Sequence, residues 1–318
     1  MAAIHRVSDW NYSRGLALAA VCSGAMIVAG CKGGTSSARV APETFSSQDA
    51  AGRALYEAAK ASDSNALIKI FGSDAKDVVL SGDPVDDKNS QTKFVAAYDQ
   101  MHRWDKLKNG GYVLTVGASN YPMPIPLVAN SSGQWYFDGA AGRQEVLARR
   151  VGQNELDAID VLWAIGDAQE DYFSELHDGS QVPQYAQKLV SDPGKQNGLY
   201  WKVAEGQEDS PLGPLAASAA ADGYHEGPTA PFHGYYYRIL TKQGEEANGG
   251  AMDYIHDGAM TDGYAVLAWP AQYGNSGVMT FVLTSDGAMY QKDYGADTAN
   301  AVKGIDTLDL DGDWKLLE

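Results

Sequence analysis

The chain has 318 residues, of which 41 are acidic and 24 are Lys or Arg, so its formal net charge is -17. A surface this acidic repels the phosphate backbone of nucleic acids, and we expect no nucleic-acid partner. The only cysteines are Cys22 and Cys31. The chain after Cys31 therefore has no thiol for a disulfide, a thiolate metal site or a cysteine nucleophile.

The first thirty residues predict a bacterial lipoprotein signal peptide. Arg6 and Arg14 precede an apolar segment at 16–29, which is too short for an ordinary transmembrane helix. The segment ends in Val28-Ala29-Gly30-Cys31, which resembles a lipobox. We predict cleavage before Cys31 and lipidation of its thiol. The alternative is a secretory signal with an incidental cysteine.

The residues after Cys31 predict where the anchored protein resides. An Asp after the lipidated cysteine usually marks retention in the inner membrane, so Lys32 favours the outer membrane, facing the periplasm. Residues 31–44 include a Gly/Ser-rich stretch that predicts a flexible tether. The membrane, contacted through the acyl chains, is the expected partner.

Apolar periodicity predicts an α+β fold with an N-terminal half at 45–152 and a C-terminal half at 153–318. In the N-terminal half it predicts helices starting after Ser46 or Ser47 and ending at Ala61, at 64–71 and at 88–107. The same half contains β patterns at 78–80, 112–116, 125–129 and 134–137. Helices followed by short adjacent strands indicate a small antiparallel sheet.

The C-terminal half begins with a predicted connecting helix, capped by Asn154 and extending to about His177. Its apolar stripe includes Leu156 and Trp163. A shorter helix is predicted at 183–190 and a long loop at 211–231. An antiparallel meander is predicted from strands at 235–241, 264–269, 278–284 and 288–292.

Several longer segments are shared with one group of exported bacterial proteins. They are Phe71-Gly72, Ser81-Gly82-Asp83-Pro84, Arg149-Arg150-Val151-Gly152-Gln153-Asn154-Glu155, Pro193-Gly194-Lys195-Gln196-Asn197-Gly198-Leu199-Tyr200-Trp201, Pro231-Phe232-His233-Gly234-Tyr235-Tyr236-Tyr237-Arg238-Ile239-Leu240-Thr241, Gly263-Tyr264-Ala265-Val266-Leu267-Ala268-Trp269-Pro270-Ala271-Gln272-Tyr273-Gly274 and Ser276-Gly277-Val278-Met279-Thr280-Phe281. With these segments the chain resembles the domain of unknown function 2950 family over nearly its whole length after the signal. This resemblance implies no activity, substrate or site residue.

His233 is the candidate catalytic residue, as a general base or a ligand. The alternative is a packed histidine in a turn. The spacing of His225-Glu226 and His233 excludes the H-E-x-x-H arrangement of zinc proteases. Asn275-Ser276-Gly277 joins two strand patterns, which is not the strand-to-helix setting of a serine nucleophile.

Asp309, Asp311 and Asp313 form a candidate metal site, because Ca²⁺ prefers carboxylate oxygens. They do not form an EF-hand, since Trp314 stands where that loop needs glycine. A solvated acidic turn is the alternative.

The second half of the chain is rich in Tyr and Trp, which offer rigid contact surface with a polar tip. The candidate binding residues are Trp201, Tyr235, Tyr237, Trp269 and Tyr273. Because side chains alternate along a strand, we expect about half of the aromatic residues there to face the core.

The sequence thus favours a lipid-anchored binding or assembly module of the cell envelope over an enzyme. We expect no cofactor, and an envelope protein or a glycan is the candidate partner. The alternative function is a periplasmic hydrolase that acts on an envelope polymer through His233.

Overall fold

The computed structural model describes residues 40–203, 209–224 and 230–317. Helices and a small antiparallel sheet come first, then a long helix, then a second antiparallel sheet, which confirms the predicted α+β class. Cys31, Lys32 and most of the predicted tether lie outside the described residues. Within the described ranges no helix is both long and apolar enough to cross a membrane.

The N-terminal part contains four helices, and the three longer ones each begin at a side-chain cap. These are α1 (Gln48–Lys60), α2 (Ser64–Phe71), α3 (Lys76–Val79) and α4 (Pro84–Gln100), with a 3₁₀ turn at Ser73–Ala75. The Ser47 hydroxyl caps α1 by accepting from the amide of Ala50 at 3.1 Å. Asp83 caps α4 and is followed by Pro84 in the first turn, the position that tolerates proline.

A small antiparallel sheet completes this part. Its strands are β1 (His102–Lys106), β2 (Tyr112–Val116), β3 (Tyr121–Pro122), β4 (Leu127–Ala129) and β5 (Trp135–Phe137). They are ordered β1-β2-β4-β5, and β3 also pairs with β2.

Two predictions in this part are wrong. The helix predicted at 88–107 ends at Gln100, because the following residues pair along their whole length with β2, from His102 opposite Val116 to Lys106 opposite Tyr112. Residues 78–80 do not form a strand, since Val78 and Val79 close the short helix α3. For residues 102–106, pairing with β2 outweighs the helical pattern.

The long helix α5 (Gly139–Phe173) starts fifteen residues before the predicted cap. Asp138 caps it by accepting from the amide of Ala141 at 3.0 Å, whereas Asn154 lies inside the helix and is buried. The apolar stripe predicted for this helix is also misplaced, because Leu156 and Trp163 are each 43% exposed. The side of α5 that packs on the second sheet carries Ala158, Val161, Leu162, Ile165, Ala168 and Tyr172.

The second sheet contains five strands, namely β6 (Tyr235–Leu240), β11 (Ala265–Pro270), β12 (Thr280–Thr284), β13 (Met289–Lys292) and β15 (Lys315–Leu316). They are ordered β15-β13-β12-β11-β6, so β6 to β13 form a meander and β15 is added at its edge. The hairpin between β12 and β13 turns at Asp286-Gly287, where Gly287 has a φ of 80°.

Shorter elements surround this sheet. They are α6 (Gly213–Ala221), α7 (Thr298–Ala301), β7 (Lys242–Gln243), β8 (Met252–Asp253), β9 (Ile255–His256), β10 (Ala259–Met260), β14 (Thr307–Leu308) and 3₁₀ turns at Gly295–Asp297 and Val302–Gly304. Strands β14 and β7 pair in parallel.

Two further predictions are wrong. Residues 183–190 form no helix, because the buried amide of Gln169 binds the backbone of Ala186, accepting from its N–H at 2.8 Å and donating to its carbonyl at 2.9 Å. The loop predicted at 211–231 contains α6, which begins with Gly213 and Pro214.

One hydrophobic cluster lies before the predicted boundary at 152/153 and two lie after it, while α5 runs through the boundary. The N-terminal cluster includes Leu55, Leu114 and Phe137, and Val146 of α5 packs against it. Of the two clusters beyond the boundary, the one that packs on α5 includes Leu162 and Phe281. A single helix therefore contributes side chains to clusters on both sides of the boundary.

Candidate functional site

A cavity of about 760 Å³ lies beside the C-terminal end of α5. Its walls are the last turn of α5, the turn that follows, residues 200–203 and one side of α6. We call it the end-of-helix cavity, and its lining includes Asp171, Glu175, His177, Trp201, Asp209 and Ala217.

The turn after α5 places His177 in the cavity wall. Ser174 ends the helix, and its hydroxyl donates to the carbonyl of Asp171 at 2.7 Å. Asp178 and Gly179 then adopt φ values of 49° and 77°, a left-handed pair that reverses the chain. The amide of Ser180 closes the turn by donating to the carbonyl of His177 at 2.9 Å.

His177 is only 4% exposed and has aromatic rings on both sides. Its ring stacks on Tyr172 with centroids 4.0 Å apart, and the Trp201 ring lies 5.6 Å away. Nε2 lies 3.1 Å from the backbone carbonyl of Tyr172, while Nδ1 has no hydrogen-bond partner among the described residues. Since a carbonyl only accepts, Nε2 carries a proton and donates to it, while Nδ1 is buried.

Ser210 fixes the opposite wall. This residue is 2% exposed, and its hydroxyl donates to the carbonyl of Leu199 at 3.0 Å and accepts from the amide of Trp201 at 3.3 Å. The amide of Leu212 donates to the same Leu199 carbonyl at 2.9 Å. These bonds hold the start of α6 against the segment that carries Trp201.

The charges around the cavity are unbalanced. Three of the described lining residues are carboxylates, namely Asp171, Glu175 and Asp209, and one is a cation, Lys202. All three carboxylates lie on exposed residues, so they form a rim rather than a buried centre. The cavity therefore combines an acidic rim with an aromatic wall.

Of the aromatic candidates, only Trp201 lines this cavity. Tyr235 is fully buried in the sheet, and its hydroxyl donates to the carbonyl of Met279 at 2.9 Å. Burial raises the pKa of Tyr237 well above its usual value. Trp269 is covered by the guanidinium of Arg238, 4.9 Å from its ring centroid, and Tyr273 is 36% exposed elsewhere.

His233 lies apart from the cavity, at the start of β6. Its φ of 51° is left-handed, and its side chain is 29% exposed. Nδ1 is 3.9 Å from a carboxylate oxygen of Asp157, beyond hydrogen-bond distance, and the Phe232 ring is 4.1 Å from the imidazole. The Tyr237 hydroxyl donates to the carbonyl of Phe232, next to His233, at 3.4 Å.

The acidic C-terminal residues do not converge. Asp309 accepts from the amide of Glu246 at 3.3 Å, whereas Asp311 and Asp313 face the ammonium of Lys292 at 2.6 and 3.7 Å. The hydrogen bond from Lys292 lowers the pKa of Asp311. In the described parts of the chain no three His, Cys, Asp or Glu side chains are grouped to hold a metal ion. The calcium site stays a prediction, and this geometry favours an ion pair instead.

A second polar centre lies where α4 begins. Asp83 is 1% exposed, and one of its oxygens accepts from the amides of Val85 and Asp86 at 3.1 and 3.2 Å. The other oxygen accepts from the Tyr224 hydroxyl and the Gly234 amide, both at 3.0 Å. One carboxylate thus joins the start of α4 to the segment that follows α6 and to the start of β6.

Arg150 extends this centre from α5. Its guanidinium donates to the carbonyls of Asp77 and Val78 at 2.7 Å and to the side chain of Asn275. Burial lowers the pKa of Arg150, whereas the nearby carboxylates of Asp87 and Asp86 act to raise it.

The segments of the sequence resemblance that contain Asp83, Asn154, Gly234 and Ser276 meet at this polar centre. Asp83 and Gly234 are bonded directly, and Asn154 donates to the carbonyl of Ser276 at 2.8 Å. A family model described as "Protein of unknown function (DUF2950)" matches residues 42–317. The chain belongs to this family. The matched range spans all three hydrophobic clusters and the lining of the end-of-helix cavity, and the DUF2950 description names no activity. No curated protein and no solved structure matches the chain.

Neither His177 nor Asp83 stands out by sequence as a site residue. A signal for Asp83 exists, because Asp followed by Pro and a helical pattern is typical of a helix N-terminus. For His177 no local signal exists, since its surroundings depend on Trp201, twenty-four positions away in the chain.

Proposed function

We propose that this DUF2950 protein is a lipid-anchored binding module of the bacterial cell envelope that holds a small ligand in the end-of-helix cavity. The observation that carries the proposal is the cavity itself, whose volume of about 760 Å³ falls in the roughly 300–1,000 Å³ range of small-molecule sites. Aromatic and apolar walls with a few polar groups are typical of such sites.

The hydroxyl groups of the cavity favour binding over catalysis. Both serines among its described lining residues donate to backbone carbonyls, Ser174 to Asp171 and Ser210 to Leu199. An activated nucleophile instead donates its proton to an adjacent base. The imidazole in the wall, His177, binds a backbone carbonyl through Nε2.

The envelope location is supported by the N-terminal sequence, in which Cys31 follows Val28-Ala29-Gly30. Lys32 favours the outer membrane, and a Gly/Ser-rich tether gives the domain some reach from it. The net charge of -17 disfavours a nucleic-acid partner.

The anchor is tested with globomycin and with a Cys31→Ser variant. We expect precursor to accumulate with the inhibitor, and we expect Cys31→Ser to leave the membrane fraction while the wild type stays in it. A wild type that is processed normally under globomycin would disprove the anchor.

The binding role is tested with a matched pair of variants on α6. Ala217 lines the cavity, whereas its exposed neighbour Ser218 does not. We expect protein purified from membranes to carry a small molecule that mass spectrometry detects with the wild type and with Ser218→Phe. Ala217→Phe places an aromatic ring in the cavity, and this variant should not retain the molecule. A wild type that carries no enriched molecule contradicts the proposal, as does equal retention by both variants.

A further inference from the structure

We infer that Asn248 and Gly249 form a self-modification site, at which the asparagine side chain closes onto the glycine nitrogen and becomes aspartate or isoaspartate. This inference does not rest on the proposed binding function. It is carried by a comparison of the Asn-Gly pairs in the sequence, which share their chemistry and differ in their hydrogen bonds. The pairs are Asn109-Gly110, Asn197-Gly198 and Asn248-Gly249.

The reaction joins two neighbouring residues and consumes only water. The main-chain nitrogen of Gly249 forms a bond to Cγ of Asn248, the bond from Cγ to Nδ2 breaks, and the side-chain nitrogen leaves as ammonia with the proton of the Gly249 N–H. Water then opens the cyclic imide at either carbonyl, which gives aspartate or isoaspartate at position 248. Glycine favours the attack because it has no Cβ to hinder the approach.

At Asn248-Gly249 both reacting groups are free. The two residues are exposed, and among the described residues neither the side-chain amide of Asn248 nor the N–H of Gly249 makes a hydrogen bond. The turn is closed by the next amide, since Gly250 donates to the carbonyl of Ala247 at 2.9 Å. The Gly249 nitrogen can therefore react without a hydrogen bond of its own being broken.

At Asn109-Gly110 hydrogen bonds hold both groups, although the pair is exposed. Oδ1 of Asn109 accepts from the amide of Gly111 at 3.1 Å. The N–H of Gly110, which would have to attack, donates to the carbonyl of Leu107 at 3.1 Å. These bonds must open before the ring can close.

Asn197-Gly198 is held more firmly. Oδ1 of Asn197 accepts from the amide of Asp192 at 3.0 Å, and Nδ2 donates to the carboxylate of the same residue at 2.8 Å. Gly198 is buried, and its N–H donates to the hydroxyl of Ser191 at 2.9 Å. We therefore expect this pair to be protected by the fold.

The modification affects stability because a buried side chain binds the main chain of the same turn. Gln243 is 9% exposed, and its Nε2 donates to the carbonyls of Asn248 and Gly250 at 2.8 and 2.7 Å, while its Oε1 accepts from the Tyr254 hydroxyl at 2.7 Å. In isoaspartate the main chain runs through Cγ, so it gains a methylene group and the former carbonyl of residue 248 leaves it. We expect the isoaspartate form to lose one of the Gln243 bonds and to melt at a lower temperature.

The test is peptide mapping by mass spectrometry after the folded protein is incubated at mildly alkaline pH in heavy-oxygen water, which labels only the groups formed during the incubation. We expect Asn248 to be converted roughly tenfold or more faster than Asn109 and Asn197. In concentrated urea the three rates should converge, because the shared Asn-Gly sequence then determines them. No conversion at Asn248 in the folded protein, or a rate there no higher than at the other two pairs, overturns the inference.

Two variants connect the modification to its consequence. Asn248→Gln is the control, since its longer side chain closes a larger ring slowly, and its melting temperature should not change during the incubation while that of the wild type falls. Asn248→Asp keeps the normal main chain, so it should melt with the fresh wild type. A melting temperature of Asn248→Asp as low as that of the incubated wild type would contradict the role of the Gln243 bonds.

Discussion

Asp83 shows how one side chain can position three distant segments. Its two oxygens accept hydrogen bonds from Val85 and Asp86 on α4, from Tyr224 and from the amide of Gly234. The carboxylate is buried, and its hydrogen-bond donors are N–H and O–H groups without a formal charge. The hydroxyl of Tyr224, which donates to this carboxylate, has a raised pKa mainly because it is buried.

We expect Asp83→Asn to lower the free energy of unfolding by about 2 to 3 kcal/mol, because an amide N–H₂ would face the Gly234 amide, and one of the two donors would be left without an acceptor. Tyr224→Phe is the control, since it removes one hydrogen bond and should cost about 1 kcal/mol. Urea unfolding of both variants measures the difference. Equal losses would show that the second oxygen is not engaged as described.

Asp86, one turn into α4, predicts a pH dependence. Burial, followed by the nearby charge of Asp83, raises the pKa of Asp86. A carboxyl whose folded pKa is raised stabilises the fold below its unfolded pKa, and that stability is lost as the pH rises through the folded pKa. We therefore expect Asp86→Asn to match the wild type near pH 3 and to become the more stable protein as the pH rises to about 7.

Urea unfolding at several pH values measures this trend. Asp99→Asn, at the exposed end of the same helix, is the control and should show a smaller change with pH. An Asp86→Asn effect that is the same at pH 3 and pH 7 would contradict the assigned cause.

At the scale of elements, α5 determines most of the arrangement, because it packs on both parts of the fold. Near its start it touches the loop before β4 so closely that a Cβ at Gly142 would lie 2.6 Å from Cα of Ile125 and 2.7 Å from the carbonyl oxygen of Pro124. In its middle, a Cβ at Gly166 would lie 2.9 Å from the Leu283 side chain. Glycine is needed there for close approach rather than for backbone freedom.

We expect Gly142→Ala to destabilise the protein, although alanine favours a helix by about 1 kcal/mol over glycine, because the clash is with backbone atoms that cannot move cheaply. Gly152→Ala is the matched control on the same helix, where a Cβ meets no atom within 4 Å. It should stabilise by up to about 1 kcal/mol. Thermal melts of the pair should therefore shift in opposite directions, and a parallel shift would contradict the packing.

For the whole molecule, the shared helix bears on how the chain unfolds. Val146 of α5 packs with the N-terminal cluster, and Leu162 of α5 belongs to the cluster that includes Phe281. If the two halves separated, at least one of these clusters would lose its contacts with α5. We expect residues 42–317 to unfold in one calorimetric transition with equal calorimetric and van't Hoff enthalpies. Two resolved transitions would show that the halves at 45–152 and 153–318 are independent.

Local signals predict part of this structure. Helices α1 and α2 start at capping side chains and bury one face, and the hairpin at Asp286-Gly287 follows from its turn residues. The predictions fail where a distant partner determines the conformation. Residues 102–106 extend a helical pattern yet pair with β2, and the backbone of Ala186 is bound by the side chain of Gln169, seventeen positions away.

The candidate site is also predictable only in part from the sequence. Composition and order, read without any structure, predict the acidic surface, the loss of free thiols after Cys31 and the export signal, because these depend on residue type and local order alone. Trp201 is a binding candidate by residue type. Only the tertiary structure places it against His177 beside the end of α5, because a cavity is the space between segments that are distant in the chain.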